Sequence, residues 1–250
     1  MTDIRNSWRS PAAYLYTLNL DEVSLAWEYL RRNSRYRNDW SDAADQTKPS
    51  AAVAWGLRYL EDPSRDARSA NPPWHPLPHS SVHLKRHEDI DQFAGFEFWR
   101  IPGVKSLVHD GTGLQLTARG TAIRRAVIAS DLGANQPYAF AVPAAGDIAA
   151  RCRAVREFVV AYASNGPKSS APLKRPTRSA LTHMRALQAL DGTLANASHR
   201  EIAMAIFGIG ATRDHWAADS ELRAQIRYLV RRGKALAASG FRARLRADSS

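Results

Sequence analysis

Cysteine is almost absent: Cys152 stands alone among 250 residues, which excludes an internal disulfide framework. No run approaches the roughly eighteen consecutive apolar residues of a membrane-spanning helix. The opening MTDIRNSWRS lacks the apolar core of a signal peptide. The expectation is a soluble, cytoplasmic protein of a reducing compartment, with no membrane contact. Catalytic signatures are missing too. The chain contains no Gly-x-Ser-x-Gly, no P-loop, no HExxH and no dinucleotide fingerprint. An enzyme is therefore not expected, and neither a catalytic residue nor a cofactor is assigned.

What the chain does have is positive charge, gathered at one end. Residues 1–80 hold ten Lys/Arg against ten Asp/Glu, and residues 81–165 hold ten against eight. Residues 166–250 hold fifteen against six, so most of the net +11 lies in the last third. A basic excess confined to one segment is the electrostatic footprint of a polyanion partner.

The organisation reads as α+β, mainly α. Residues 1–68 form a small N-terminal helical module. Within it, LDEVSLAWEYLRRN spaces Val23, Ala26, Trp27 and Leu30 as a helix does, with acids at its start and Arg31 and Arg32 at its end, as the helix dipole favours. AAVAWGLRYLED reads as a second helix broken by Pro63. Residues 69–81, with Pro72, Pro73, Pro76 and Pro78, read as a linker or extended arm.

Residues 82–164 carry a central β-hairpin element and a helix. Apolar and polar residues alternate on both sides of Asp110-Gly111-Thr112-Gly113, a hairpin signal, and YAFAVP adds a short strand. The helix runs from Asp147 to about Tyr162. Residues 165–176, rich in Pro, Ser and Lys, form a second linker.

Residues 177–250 form a three-helix, helix-turn-helix-like unit. The first helix carries Leu181, Met184, Leu187 and Leu190 and is expected to close at Asp191-Gly192. The second starts with Ser198 and Glu201 at capping-box spacing and ends at Gly208. The third, SELRAQIRYLVRRG, has Asp219 or Ser220 as its N-cap. Between the last two lie a dozen residues, GIGATRDHWAAD, longer than the turn of three or four in a compact motif. Trp216 is placed to pin that turn.

Rotating the third helix by about 100° per residue gathers Leu222, Ile226, Leu229 and Val230 on a core face. Ser220, Ala224, Arg227 and Arg231 lie opposite, with Arg223 and Lys234 at the flanks. Arg227 and Arg231 stand one turn apart, a spacing that suits a nucleic-acid groove. Arginine forks onto guanine O6 and N7, and both arginine and lysine neutralise phosphates. The expected partner is double-stranded DNA. Ser220, Arg223, Ala224, Arg227 and Arg231 would face the major groove. Arg213, His215, Arg232, Lys234, Lys174 and Arg175 would meet phosphates. The competing reading is a protein-binding regulator whose helix-turn-helix surface docks another transcription factor.

Two stretches carry a resemblance. SHREIAMAIFG, a following tryptophan and DSELRAQIRYLVRRGKALAASGFRARL resemble a bacterial domain with a helix-turn-helix-like end. DEVSLAWEYLRRNSRYRNDW resembles a short module found ahead of it, recognisable by AWEYLRRN-x-x-YR-x-DW. The tandem looks like the FseA-type transcriptional activators of integrative and conjugative elements in proteobacteria. That resemblance implies a nucleoid-associated activator of an excisionase-type promoter, and so of excision and horizontal transfer, under quorum-sensing control. It also implies a quorum-sensing regulator or an antiactivator protein as partners, and the N-terminal module is expected to engage RNA polymerase, a partner regulator or a second copy of the chain.

Three other constellations carry less. His75, His79, His83 and His87 recur every fourth residue, but prolines interrupt any helix that would align them, and no cysteine stands nearby, so no metal is assigned. Cys152 lies within a helical stretch and reads as a packing residue. RRNSRYRNDW interleaves arginines with Tyr36 and Trp40, whose four-residue spacing places both in the core of the N-terminal module.

Overall fold

The computed structural model describes residues 7–42, 49–75, 77–88, 95–109, 113–120, 122–144, 146–163 and 175–247. A 3₁₀ helix, Pro11–Asn19, is followed by α1 (Glu22–Leu30), α2 (Ser34–Asp42) and α3 (Pro49–Ala54). The strands β1 (Ser81–Arg86), β2 (Val104–His109), β3 (Gly113–Arg119), β4 (Ile123–Ala129) and β5 (Tyr138–Ala141) come next, then α4 (Ile148–Ala163). The chain continues with α5 (Arg178–Leu194), α6 (His199–Phe207), α7 (Ile209–His215), α8 (Glu221–Ala235), a π-helical turn (Leu236–Gly240) and α9 (Phe241–Ala247). The fold is α+β, with helices at both ends of the chain and a sheet between. No helix among the described residues is long and apolar enough to cross a membrane.

The chain folds as two compact units. A helical unit gathers Met1–Thr47, Asp62–Ala70 and Lys174–Leu245, and a sheet unit gathers Lys48–Glu61, Asn71–Leu173 and Arg246–Ser250. Most of the N-terminal module and the C-terminal helices, far apart in sequence, thus contribute to one body, while residues 48–61 of that module belong to the sheet unit.

In the helical unit, Asp21 caps α1 by accepting the Ser24 N–H at 2.9 Å. Every residue of α1 from Val23 to Leu30 is buried. Trp27 meets Tyr36 edge-to-face at 5.7 Å, and its Nε1 donates to the Arg65 carbonyl at 3.0 Å. Arg32 does more than complement the helix dipole. Its guanidinium forks onto Asp191 of α5, at 2.7 Å from Nε and 2.9 Å from Nη2, and its Nη1 reaches the Glu28 carboxylate. Tyr14 donates at 2.6 Å to Asp191 Oδ2, the oxygen that Arg32 Nη2 also holds. Glu28 also accepts the Ala67 N–H at 2.7 Å. Burial raises the Glu28 carboxyl, but Arg32 and Arg31 outweigh it and hold the group down to about 2.

Gly192 does not end α5, which continues to Leu194. A Cβ there would lie 2.9 Å from Ile202 Cγ1 and 3.1 Å from Trp8 Cε3, so the glycine serves close packing. The chain turns instead at Asn196, which adopts a left-handed φ of 59°. Gly233 of α8 does for the α5–α8 crossing what Gly192 does for α6: a Cβ would lie 2.8 Å from the Ala186 carbonyl oxygen.

The sheet unit holds five strands in the order β2-β3-β4-β1-β5. The expected hairpin is the β2–β3 pair, in which His109 faces Leu114; the Asp110–Thr112 part of its turn lies outside the described residues. β4 continues antiparallel from β3 and runs parallel to β1, and β5 closes the far edge. Val82, Leu84, Leu116, Ala126 and Ile128 line one core with Phe158 and Tyr162 of α4.

Three expectations fail here. The AAVAWGLRYLED helix stops at Ala54, because Gly56 takes φ 75° and Leu57 enters a bridge with Trp74. The proline-rich stretch is packed and no free linker: Trp74 is 2% exposed, and Asn71 Oδ1 accepts the Thr117 hydroxyl at 2.6 Å. His83 lies in β1, and His87 follows it along extended chain, about 13 Å away at a strand's rise. Cys152 is exposed on α4 and packs no core.

Candidate nucleic-acid interface

The helical unit presents α8 through a set of local devices. Ser198 and Glu201 complete the capping box of α6, with the Ser198 N–H donating to Glu201 Oε2 at 2.8 Å and the Glu201 N–H to Ser198 Oγ at 3.2 Å. Gly208 ends α6 at φ 92°, a conformation that L side chains resist. The dozen residues expected as an open turn are not one. Ile209–His215 forms α7 directly after Gly208, which leaves only residues 216–220 between α7 and α8. Trp216 is half-buried at that junction. Ser220 caps α8, its Oγ accepting the Arg223 N–H at 3.3 Å.

The core face of α8 follows the rotation. Ile226, Leu229 and Val230 are buried, Leu222 is half-buried, and Gly233 sits against α5. The outer face exposes Ala224, Arg227 and Arg231, with Lys234 exposed at the C-terminal end. Arg227 and Arg231 make no ion pair among the described residues. A guanidinium so placed keeps its full charge and all its donors for a partner.

Other expected contacts fare differently. Arg223 is half-buried and bonds its own turn, Nη1 to the Ala218 carbonyl at 3.3 Å. Ser220 is engaged as the cap. Arg213 and His215 are exposed in the last turn of α7. Arg175 is exposed ahead of α5, and Lys174 lies outside the described residues.

Arg232 turns inward. Its Nη2 meets His183 Nε2 at 3.3 Å, and its Nη1 donates to Tyr228 Oη at 3.3 Å. His183 is buried on α5, with Nδ1 2.8 Å from Tyr29 Oη of α1. Burial first, then Arg244 and Arg232, pull the imidazole down to about 4, so it is neutral at neutral pH and can accept from Arg232. Arg232 therefore ties α8 to α5 and α1 and is not held out for a phosphate.

Two outward residues escaped the sequence reading. Tyr228 is 41% exposed, and the same helical rotation places it beside Ala224 and Arg231. Gln225 is exposed and lines a cleft of about 720 Å³ between α7 and the start of α8, together with Phe207, Arg213, His215, Trp216 and Leu222. Both polar tips can meet base edges, glutamine by forking onto adenine. Attention to charge alone had passed over them.

Comparison with known families gives the class. Residues 141–246 match a family model described as a T6SS transcription factor DNA-binding domain. Residues 7–60 match a proteobacterial transcriptional regulator-like domain, and residues 82–123 match a domain of unknown function (DUF7011). No curated protein matches the chain. The first two matched domains are of DNA-binding and regulatory kinds, and they indicate a DNA-binding transcriptional regulator with DNA as its partner.

Proposed function

We propose that the protein is a transcriptional activator that reads a promoter through α8, and that its target is an excisionase-type gene of an integrative and conjugative element. The observation that carries the reading is the outer face of α8: Arg227 and Arg231, one turn apart, exposed and without an ion-pair partner among the described residues. Ala224, exposed on the same face one turn before Arg227, leaves room for close approach to a groove. Tyr228 and Gln225 widen the reading surface. Arg213, His215, Lys234 and Arg175, with Lys174, supply backbone contacts that fix register. The work is recruitment of RNA polymerase or of a partner regulator, with no bond made or broken.

The element-excision target rests on the resemblance of the two terminal stretches to FseA-type activators. The description of the matched DNA-binding domain names a T6SS transcription factor, which supports a second target, promoters of T6SS genes. Binding to both kinds of promoter from the same genome separates the two. The helix itself is tested by Arg227→Ala and Arg231→Ala. Each is expected to weaken promoter binding by about 1–3 kcal/mol where it contacts a base. Unchanged affinity in both variants would take α8 off the DNA and favour the protein-docking alternative.

A further inference from the structure

We infer that α4, in the sheet unit, carries a second contact with the DNA backbone, made by Arg153 and Arg156; this rests on the DNA-binding reading above. The inner face of α4 is committed to the sheet, with Phe158 and Tyr162 buried and Ala154 and Val155 packed beside them. The outer face exposes Cys152, Arg153, Arg156 and Val160, with Glu157 exposed at its edge one turn beyond Arg153. Arg153 and Arg156 stand three residues apart, so their Cβ atoms are neighbours on one side of the helix, about 5–6 Å apart. Apart from Glu157, the exposed residues beside them are small or apolar and do not hold a backbone away.

Two acids lie on or beside α4, and neither pairs with the arginines among the described residues. Asp147 accepts the Ala150 N–H at 2.9 Å at the helix start. Glu157 lies within electrostatic reach of Arg124 on β4. Neither Arg153 nor Arg156 has an ion pair among the described residues. The DNA-binding family match begins at residue 141, so it takes in all of α4 as well as the helices around α8. A pair of exposed guanidinium groups with no ion pair among the described residues fits phosphate oxygens, which ask for charge and N–H donors and carry no sequence information. Duplex DNA is the occupant this charge pattern fits.

The test compares full-length wild type, Arg153→Ala/Arg156→Ala, Arg153→Lys/Arg156→Lys and Arg227→Ala/Arg231→Ala, each titrated at several salt concentrations with a promoter duplex and a scrambled duplex. Loss of two phosphate contacts lowers the slope of log K against log salt by about 1.8, which makes the alanine variant about tenfold less salt-sensitive between 50 and 200 mM. Its preference for promoter over scrambled DNA should equal that of wild type. The lysine variant should keep the wild-type slope, and both variants, changed only at exposed positions, should melt as wild type does. Wild-type binding with an unchanged slope in the alanine variant would overturn the inference and leave the α8 reading standing. A lysine variant as weak as the alanine one, or a lost sequence preference, would overturn a backbone contact. Absence of wild-type binding to either duplex would overturn both readings.

Discussion

Arg32, Asp191 and His183 show how far a single side chain's role can lie from its sequence neighbourhood. Arg32 has the position of a cation placed for the end of α1, yet it is 8% exposed and forked onto a carboxylate 159 residues away. No local pattern announces such a pair, because its partner is chosen by tertiary packing. His183 is equally silent in sequence, one histidine in an amphipathic helix. Its folded-state value near 4, against about 6.5 for a free imidazole, has a readable consequence. Between those values the unfolded chain takes up a proton that the folded one refuses. Stability from this group is complete above about pH 6.5 and falls as the pH drops toward 4. His183→Gln is expected to flatten the pH dependence of urea unfolding across that window; an unchanged profile would show that the imidazole is not held neutral. Glu28 acts in a separate, lower window, its contribution present above the ordinary carboxyl range and lost as pH falls toward 2.

Among the elements, those set by local rules were legible and those set by distant contacts were not. The capping box at Ser198, the stop at Gly208, the cap at Ser220 and the apolar stripe of α8 all rest on residues within a turn or two of each other. The extent of α5 could not be read, since Gly192 looks like a terminator until Ile202 and Trp8 stand against it. β1 was hidden for a similar reason. SVHLKR pairs in parallel with β4, some forty residues on, so no turn beside it advertises a hairpin. The α5–α8 crossing offers a direct test of element packing. Gly233→Ala would set a methyl group 2.8 Å from the Ala186 carbonyl oxygen, and overpacking of this kind costs about 1–3 kcal/mol. The variant should lose that much stability by urea unfolding and bind promoter DNA more weakly, because α8 must shift. Wild-type stability would mean the crossing has slack that the geometry does not show.

For the molecule as a body, the division of the chain matters more than its elements. The sequence reads as modules in a row, whereas the helical unit is assembled from both ends of the chain. Trp8, Tyr14, Tyr29 and Arg32 complete the surroundings of α5, and Asn33 donates to the Ala237 carbonyl at 2.9 Å. Residues 174–250 expressed alone should therefore lack cooperative thermal unfolding and bind DNA weakly, with both restored when the N-terminal module is present. A fragment that melts sharply by itself would show that the module is an addition to the reading unit and no part of its core. The basic excess of the last third, by contrast, was plain from composition, and the exposed arginines of α8 account for part of it.

The account's central claim is that the outward face of α8 is held for DNA. The most direct measurement is equilibrium binding of the full-length protein to promoter duplexes from its own genetic neighbourhood, across several salt concentrations, with a scrambled duplex alongside. The expected result is tighter binding to a promoter than to the scrambled sequence, with both affinities falling steeply as salt rises. Binding to neither duplex at low salt, or an affinity indifferent to salt, would contradict it.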